Sequence, residues 1–411
     1  MNVVKTTFLP DGVVTVKGKM NIIFLGGFAF PYGMAGTRRI MNAIDGLRIF
    51  PDISMRVVVL RQSSKQNTPD GVHNGIPYQT VVSDVAGAKM LFMTPVLQIK
   101  ARRIIKELYR QGQHNILYVY SPPSYDNLPI IRFARRIGFK VVFDIVEDDE
   151  LARVISRSLL HRLKVAYNCR ASRNIASIAD GIVVISSHLE NKFRTTTSNA
   201  VPIHKLPISV DMNCYPEGRR HFGDPVTLFY AGSFGMKDGI GFLLDAFDKL
   251  AAKREDIQLA LTGIGADDAM RELFKRIAAS PHKDRILYKG YLDDASYYAA
   301  LNSADILCMT RVDIGYAQAG FPFKLGEYLA TGKPVIATAV SDIPNILRDR
   351  QDALLVAPGQ SDAIAEAAEF YIADQESAFA IGARGRLLAQ RLFDYRVQCE
   401  GLYEFISKIA S

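Results

Sequence analysis

Cysteine is scarce in this chain and nowhere paired in sequence: Cys169, Cys214, Cys308 and Cys399 stand far apart, with no C-x-x-C. A disulfide framework or a thiolate zinc site is therefore not expected; buried thiols of a reducing compartment are. No run of about 18 uninterrupted apolar residues occurs, which argues against a transmembrane helix. Residues Met1 to Met20 lack the basic-then-apolar layout of a secretory signal, so a cytoplasmic protein is expected. The G-x-G-x-x-G fingerprint with its distal acid is missing too, which argues against a nicotinamide dehydrogenase. No nucleic-acid module or pattern of stacking aromatics is present, and nucleic acid is not an expected partner.

What the chain does have is length and alternation. At 411 residues it exceeds one ordinary core, and two α/β domains of roughly 200 residues each are the expected division. Apolar runs alternate with helical patterns, as parallel sheets with crossover helices require. In the first half strands read at 21–26, 56–60, 115–120, 140–145 and 181–185, with helices near 37–49, 92–111, 126–137 and 150–179. The polar, Pro-flanked passage Ile208–Asp211 reads as a hinge. The alternation then restarts, with strands at 226–230, 258–262, 285–289, 306–309, 334–337 and 353–356, and a largely helical end from 375. The expected domains are 1–208, 209–385 and a terminal helix, 386–411, that packs back on the first.

The net charge of +8 is unevenly spread. Residues 1–208 carry 28 Lys and Arg against 14 Asp and Glu, whereas residues 209–411 carry 22 against 28. Much of the excess falls on two expected helices, one with Lys100, Arg102, Arg103, Lys106 and Arg110, the other with Arg153, Arg157, Arg162, Lys164, Arg170 and Arg173. Two readings stay open: a solvated basic face, or a surface for anionic lipid headgroups or a pyrophosphate-bearing acceptor.

Three glycine-bearing strand-to-helix loops follow expected strands. The first runs from Gly26 through Tyr32, Gly33 and Gly36 to Arg38 and Arg39 in the first helical turn. It is either a structural turn or a phosphate cradle, in which backbone N–H groups and the helix N-terminus face an anion. The second, Gly232-Ser233-Phe234-Gly235-Met236-Lys237-Asp238-Gly239, places a lysine where it can neutralise a diphosphate. The third, around Gly263 and Gly265, is a plain turn or a place where a nucleotide approaches closely. The most specific segment is Gly320-Phe321-Pro322-Phe323-Lys324-Leu325-Gly326-Glu327, running on to Ala337. Pro322 starts a helix, Lys324 sits in its first turn, and Glu327 follows on nearly the same face. A carboxylate there can take the hydroxyls of a ribose while the lysine meets phosphate. An exposed Lys–Glu pair is the plainer alternative, but apolar residues surround the pair.

Over nearly its whole length the second half resembles the family 4 retaining glycosyltransferases of GT-B fold. That family reads E-G-F-G-x-x-x-x-E-A-x-A-x-G-x-P-V-I-A, and Gly320, Phe321, Glu327, Ala330, Gly332, Pro334, Val335, Ile336 and Ala337 fall in register. The resemblance implies two Rossmann-like domains facing each other across a cleft, with terminal helices crossing back to the first. It implies that Glu327 holds the donor ribose and that Gly232 and Lys237 meet the donor phosphates. Ala179–Ser186 and Pro207–Asp211 match the family's approach to the hinge.

Three departures mark a variant branch carrying F-P-x-K-x-x-E-Y-L-A. The first glutamate of the pair falls at Ala319, the arginine after the strand-end glycine at Ser233, and the active-site histidine at Val146. Lys324 then supplies the charge that Ser233 lacks, and Glu147 or Asp148 faces the sugar or acceptor. The implied activity is transfer of a hexose from a nucleoside-diphosphate sugar to a glycan or lipid-pyrophosphate-linked acceptor, in cell-surface polysaccharide synthesis. The site residues expected at the donor are Gly33, Gly36, Gly232, Ser233, Lys237, Gly263, Gly320, Phe321, Lys324 and Glu327; those at the acceptor are Tyr32, Arg38 and Arg39. No cofactor is expected, and no metal, the acidic run 147–150 reading as an exposed loop or acceptor contact.

Overall fold

The computed structural model describes residues 18–62, 67–83, 89–148, 159–216 and 221–411. The chain divides into two compact units, one running to Pro207 and taking back Tyr395–Ser411, the other Ile208–Asp394. Asp149, Glu150, Arg153, Arg157 and the start of the helix expected from 150 lie outside the described residues; within them that helix is Leu159–Arg173.

The first unit is built on β1 (Met20–Gly26), β2 (Ile53–Gln62), β3 (Asp70–His73), β4 (Ile76–Ser83), β5 (His114–Tyr120), β6 (Lys140–Ile145), β7 (Gly181–Val184) and β8 (Ile203–Lys205). They lie side by side as β3-β4-β2-β1-β5-β6-β7-β8. The central strands are covered on both faces, so their sequences are mostly apolar: every residue of β1, MNIIFLG, is buried, and its one polar side chain, Asn21, donates to Leu108 O and Asn115 Oδ1. β3 and β4 are antiparallel, the remaining pairs parallel. This hairpin is absent from the apolar-run reading because β4 is only half buried. Its signal is the turn Asn74-Gly75, both residues at positive φ (48° and 79°), the pair that a two-residue hairpin loop demands.

Helix Ala35–Leu47 turns Thr37, Arg39, Ile40, Ala43, Ile44 and Leu47 inward at helical spacing. Its far end meets the terminal helix Tyr395–Ala410 so closely that a Cβ on Gly46 would stand 2.4 Å from Cys399 Cβ. The Phe50 and Tyr403 rings stack beside that contact with centroids 3.8 Å apart. Helix Gln375–Leu392 lies wholly in the second unit, so residues 386–394 do not travel with the terminal helix.

Arg39 is 1% exposed, and its charge is met from inside. Nε and Nη2 grip the two oxygens of Asp144 at the end of β6, both at 2.8 Å. Nη1 donates to the Pro207 carbonyl at 2.8 Å and Nη2 to that of Leu206 at 3.0 Å. One guanidinium therefore ties the first helix, β6 and the segment after β8 together. Burial works against its charge, but Asp144 more than compensates and leaves the pKa raised.

The second unit carries β9 (Val226–Ala231), β10 (Ile257–Thr262), β11 (Ile286–Tyr288), β12 (Ile306–Met309), β13 (Val335–Thr338) and β14 (Leu354–Val356), ordered β11-β10-β9-β12-β13-β14. Every pair is parallel. Leu228, Tyr230, Leu259, Leu261, Ile306 and Ile336 join Leu243, Phe247, Ile364 and Tyr371 of the flanking helices in one core. No disulfide joins the four cysteines; Cys169, Cys308 and Cys399 are buried and Cys214 is partly exposed. Among the described residues no helix is long and apolar enough to cross a membrane.

Removing one partner of a buried ion pair leaves the other charge uncompensated. Arg39→Met is expected to lower the unfolding free energy by about 3–5 kcal/mol, measured by urea unfolding of the full chain. Arg39→Met/Asp144→Leu, which removes both charges, should recover most of that loss; a double variant as unstable as the single one would contradict the clamp.

Candidate functional site

Strand order reverses between β1 and β5 in the first sheet and between β9 and β12 in the second. Open α/β sheets bind ligands in the crevice outside the carboxyl ends of the strands at such a switch point. In the second unit the loop after β9 holds Gly232 to Gly239, and the segment after β12 holds Thr310 and Arg311. Helix Phe323–Ala330 is locked to the same place, since the Ala231 N–H donates to Tyr328 Oη at 2.8 Å.

Lys324 points into this crevice. Its ammonium donates to Tyr230 Oη at 2.8 Å and to Asp238 Oδ1 at 3.3 Å, and only 16% of the side chain is exposed. Burial pulls its pKa down, against the Asp238 carboxylate, which raises it. The second oxygen of Asp238 accepts from Ser233 Oγ at 2.8 Å and from the Gly235 N–H at 3.0 Å. Burial alone would raise Asp238; Lys324, Ser233 and Lys237 outweigh it and bring the pKa to about 2. Ser233, Asp238 and Lys324 are thus one network, with the serine serving the carboxylate.

Lys237 lies beside Asp238 in the short turn Met236–Asp238, half-buried, its carbonyl accepting from the Val312 N–H at 3.0 Å. Glu327 is buried three residues after Lys324, with Oε2 accepting from Tyr297 Oη at 2.7 Å. The helix therefore presents its lysine to the end of β9 and its glutamate to helix Asp294–Ser303. Gly320 offers its carbonyl to Arg311 Nη1 at 3.1 Å, while Phe321 is buried against Phe393. Ala319, at the position of the missing glutamate, is fully buried.

The glycine loops after β9 and β10 pack on each other. Gly263, at φ +128°, is so close that a Cβ there would stand 1.9 Å from the Gly232 carbonyl oxygen. The Gly232 N–H donates to Thr262 O and the Gly263 N–H to Gly290 O, at 3.0 and 2.8 Å. The close approach seen here is between two backbones, and both amides donate inside the protein.

In the first unit the switch point brings Gly36 to β5, while Gly33 packs on the start of the following helix. A Cβ on Gly36 would stand 2.9 Å from Tyr120 Oη, and one on Gly33 would strike Thr37, whose hydroxyl donates to Ala29 O at 2.5 Å. Tyr32 is 54% exposed on this loop, its backbone paired with the Asn67 side chain at 2.9 and 2.8 Å. Arg38 is half-buried on the following helix. Arg39 corrects the sequence reading, being spent on Asp144 and two carbonyls instead of facing an acceptor. Glu147 is exposed. Asp148 is turned inward onto Lys192 at 2.5 Å, with His188 at 3.5 Å, and its side chain is 5% exposed. Asp238, Tyr230, Arg311 and Lys192 escape a reading by motif; the one sequence signal for Asp238 is an acid directly beside the loop lysine.

Comparison with known proteins bears on the second unit above all. Residues 225–374 match the family model described as glycosyl transferases group 1. The chain is 28% identical over 170 residues to a phosphatidyl-myo-inositol mannosyltransferase of Mycobacterium leprae, covering 41% of this chain and 41% of that protein. It is 22% identical over 331 residues, 77% of this chain and 82% of the other, to a GDP-mannose-dependent alpha-(1-6)-phosphatidylinositol monomannoside mannosyltransferase of Mycolicibacterium smegmatis. Thus the match spans about two fifths of the length of the first relative. Among solved structures, a sucrose-phosphate synthase from Thermosynechococcus elongatus superposes with a TM-score of 0.74 at 15% identity, over 95% of this chain and 99% of that one. Anabaena HepE in complex with UDP-glucose gives 0.69 at 17% identity, over 94% and 99%. The fold is accordingly that of GT-B glycosyltransferase structures, with two Rossmann-like parallel sheets.

The Asp238 network makes a pH prediction. Its pKa of about 2 lies below the ordinary carboxylate value near 3.8. The stabilisation is therefore present above about pH 4 and lost as pH falls through about 2. Asp238→Asn should melt lower than wild type at neutral pH, and the gap should close as melts are taken toward pH 2. A gap of constant size across that range would contradict the pairing.

Proposed function

We propose that this chain is a hexosyltransferase that moves a sugar from a nucleoside diphosphate to a hydroxyl of a glycan or lipid-linked acceptor, with retention of anomeric configuration. The observation that carries the proposal is Lys324, a largely buried lysine held at the switch point of the second sheet by one internal carboxylate. The named activities of the mannosyltransferase relatives and the UDP-glucose complex of a fold neighbour support the same reading.

In this mechanism the C1–O bond to the diphosphate breaks while a C1–O bond to the acceptor forms on the same face. The acceptor's proton passes to the leaving phosphate oxygen, so no pair of carboxylates at hydrolase spacing is needed. Lys324 and Lys237 stabilise the charge that develops on the diphosphate. Lys324 exchanges Asp238 for phosphate as the donor seats, and Asp238 keeps Ser233 and the Gly235 amide in place. Glu327 takes the ribose hydroxyls, oriented by Tyr297. We place the enzyme at the inner face of a membrane, in cell-surface glycan synthesis. There the exposed side chains of Ile99 and Leu163, set among Lys100, Arg103, Arg162 and Arg170, meet anionic headgroups. A second reading follows from Ala319, Ser233 and Val146: a nucleotide-sugar-binding partner without catalysis of its own.

A panel led by GDP-mannose and UDP-glucose, scored for release of the nucleoside diphosphate, separates the two. Release is expected with one donor, and Lys324→Ala should lower kcat/KM by about 10²–10³-fold. Glu327→Ala should act mainly through a raised KM for that donor. Nucleotide binding without release from any donor would favour the binding partner, and full activity in both variants would remove Lys324 and Glu327 from the site.

A further inference from the structure

The segment leaving β12 runs beside the turn that carries Lys237. Thr310 Oγ1 donates to the Asp238 carbonyl and the Val312 N–H to the Lys237 carbonyl, both at 3.0 Å. The two stretches are pressed together, since a Cβ on Gly239 would stand 2.0 Å from the Thr310 carbonyl oxygen. Asp313 is therefore one residue along from the contact with Lys237, and it is exposed. Water alone satisfies an exposed aspartate, yet this one is anchored: Gln318 Nε2 donates to Asp313 Oδ1. Gln318 is in turn held at both ends by a single residue. Its Oε1 accepts from the Ser341 N–H at 3.0 Å, and its carbonyl accepts from Ser341 Oγ at 3.1 Å. Ser341 stands at φ +53°, a left-handed conformation that residues other than glycine adopt at a cost.

We propose that Asp313 binds hydroxyl groups of the donor's sugar, with Gln318 as the positioning residue that aims it; this rests on the reading of the Lys324 crevice as the donor site. Charge decides the ligand. An ionised carboxylate repels phosphate and can only accept, so beside two lysines meant for a diphosphate it calls for O–H donors. Among the described residues Asp313 forms no ion pair, and Gln318 is its one side-chain partner. With Oδ1 engaged by that amide, Oδ2 is the atom that a hydroxyl meets. Glu327, bonded to Tyr297, takes the ribose in the same reading. The sugar ring beyond the phosphates is then the remaining part of the donor rich in hydroxyls. The anchor also has a physical purpose: a carboxylate already fixed by Gln318 loses less freedom when a hydroxyl docks on it.

The full chain is titrated by calorimetry with GDP and GDP-mannose and with UDP and UDP-glucose, so that each nucleotide sugar is compared with its own diphosphate. Asp313→Asn, which keeps an acceptor for Gln318, should weaken the nucleotide sugar by about tenfold or more. The matching diphosphate should bind this variant as it binds wild type or more tightly, because a charge that repels phosphate has gone. Gln318→Ala should shift the same ratio in the same direction by a smaller factor. Lys324→Ala, in contrast, should weaken both ligands together. The inference is overturned if Asp313→Asn leaves the nucleotide sugar unchanged, or weakens it and the diphosphate equally. Either result in a chain that still binds its diphosphate removes Asp313 alone. A wild-type chain that binds none of the four ligands overturns the donor reading and this inference with it.

Discussion

A lysine taken out of water must bring its counter-charge with it, and the second unit is arranged around meeting that demand for Lys324. Asp238 supplies the charge. Since a buried carboxylate has its own desolvation penalty, it in turn recruits Ser233 and the Gly235 amide. The turn after β9 is shaped by this chain of obligations. Helix Phe323–Ala330, which carries the lysine, is then locked by Tyr328 to the last residue of the same strand. Take away the carboxylate and the lysine loses its bearing.

This also accounts for two features that look unrelated in the sequence. The serine where the family pattern has an arginine and the lysine three residues before Glu327 are two ends of one interaction. An arginine at 233 would set a second cation where Asp238 already has one; a serine instead donates a hydrogen bond and adds no charge. In this chain the cation hydrogen-bonded to Asp238 comes from the helix, and position 233 contributes a hydroxyl.

The parallel sheets were legible because strands covered on both faces are apolar along their middles, as residues 22–25, 116–119, 141–143 and 306–309 are. The segment from Gly320 to Glu327 stands out in the sequence because its glycines, proline, lysine and glutamate fall at fixed spacing along one short helix. Half-buried elements leave weaker marks. The β3–β4 hairpin alternates too irregularly to stand out and is betrayed only by Asn74-Gly75. Arg39 illustrates a different limit. A basic residue in the first turn of a helix after a glycine loop has the same local sequence whether it faces a ligand or a carboxylate 105 positions away. Asp238 and Asp148 were hidden for the same reason, since the partners that define them come from other elements.

The contact between Gly232 and Gly263 has a consequence for how this site can change over time. The Gly232 backbone leaves no room for a side chain at 263, and each loop's end is hydrogen-bonded to a neighbouring strand or turn. A larger residue at 263 would press on Gly232, and a Cβ at 232 would stand only 2.6 Å from Lys324 Nζ. The β10 loop, which carries none of the charged groups, is therefore in mechanical register with the one that does. In descent the two loops form a single unit of variation: neither can lengthen or gain bulk unless the other yields in the same lineage.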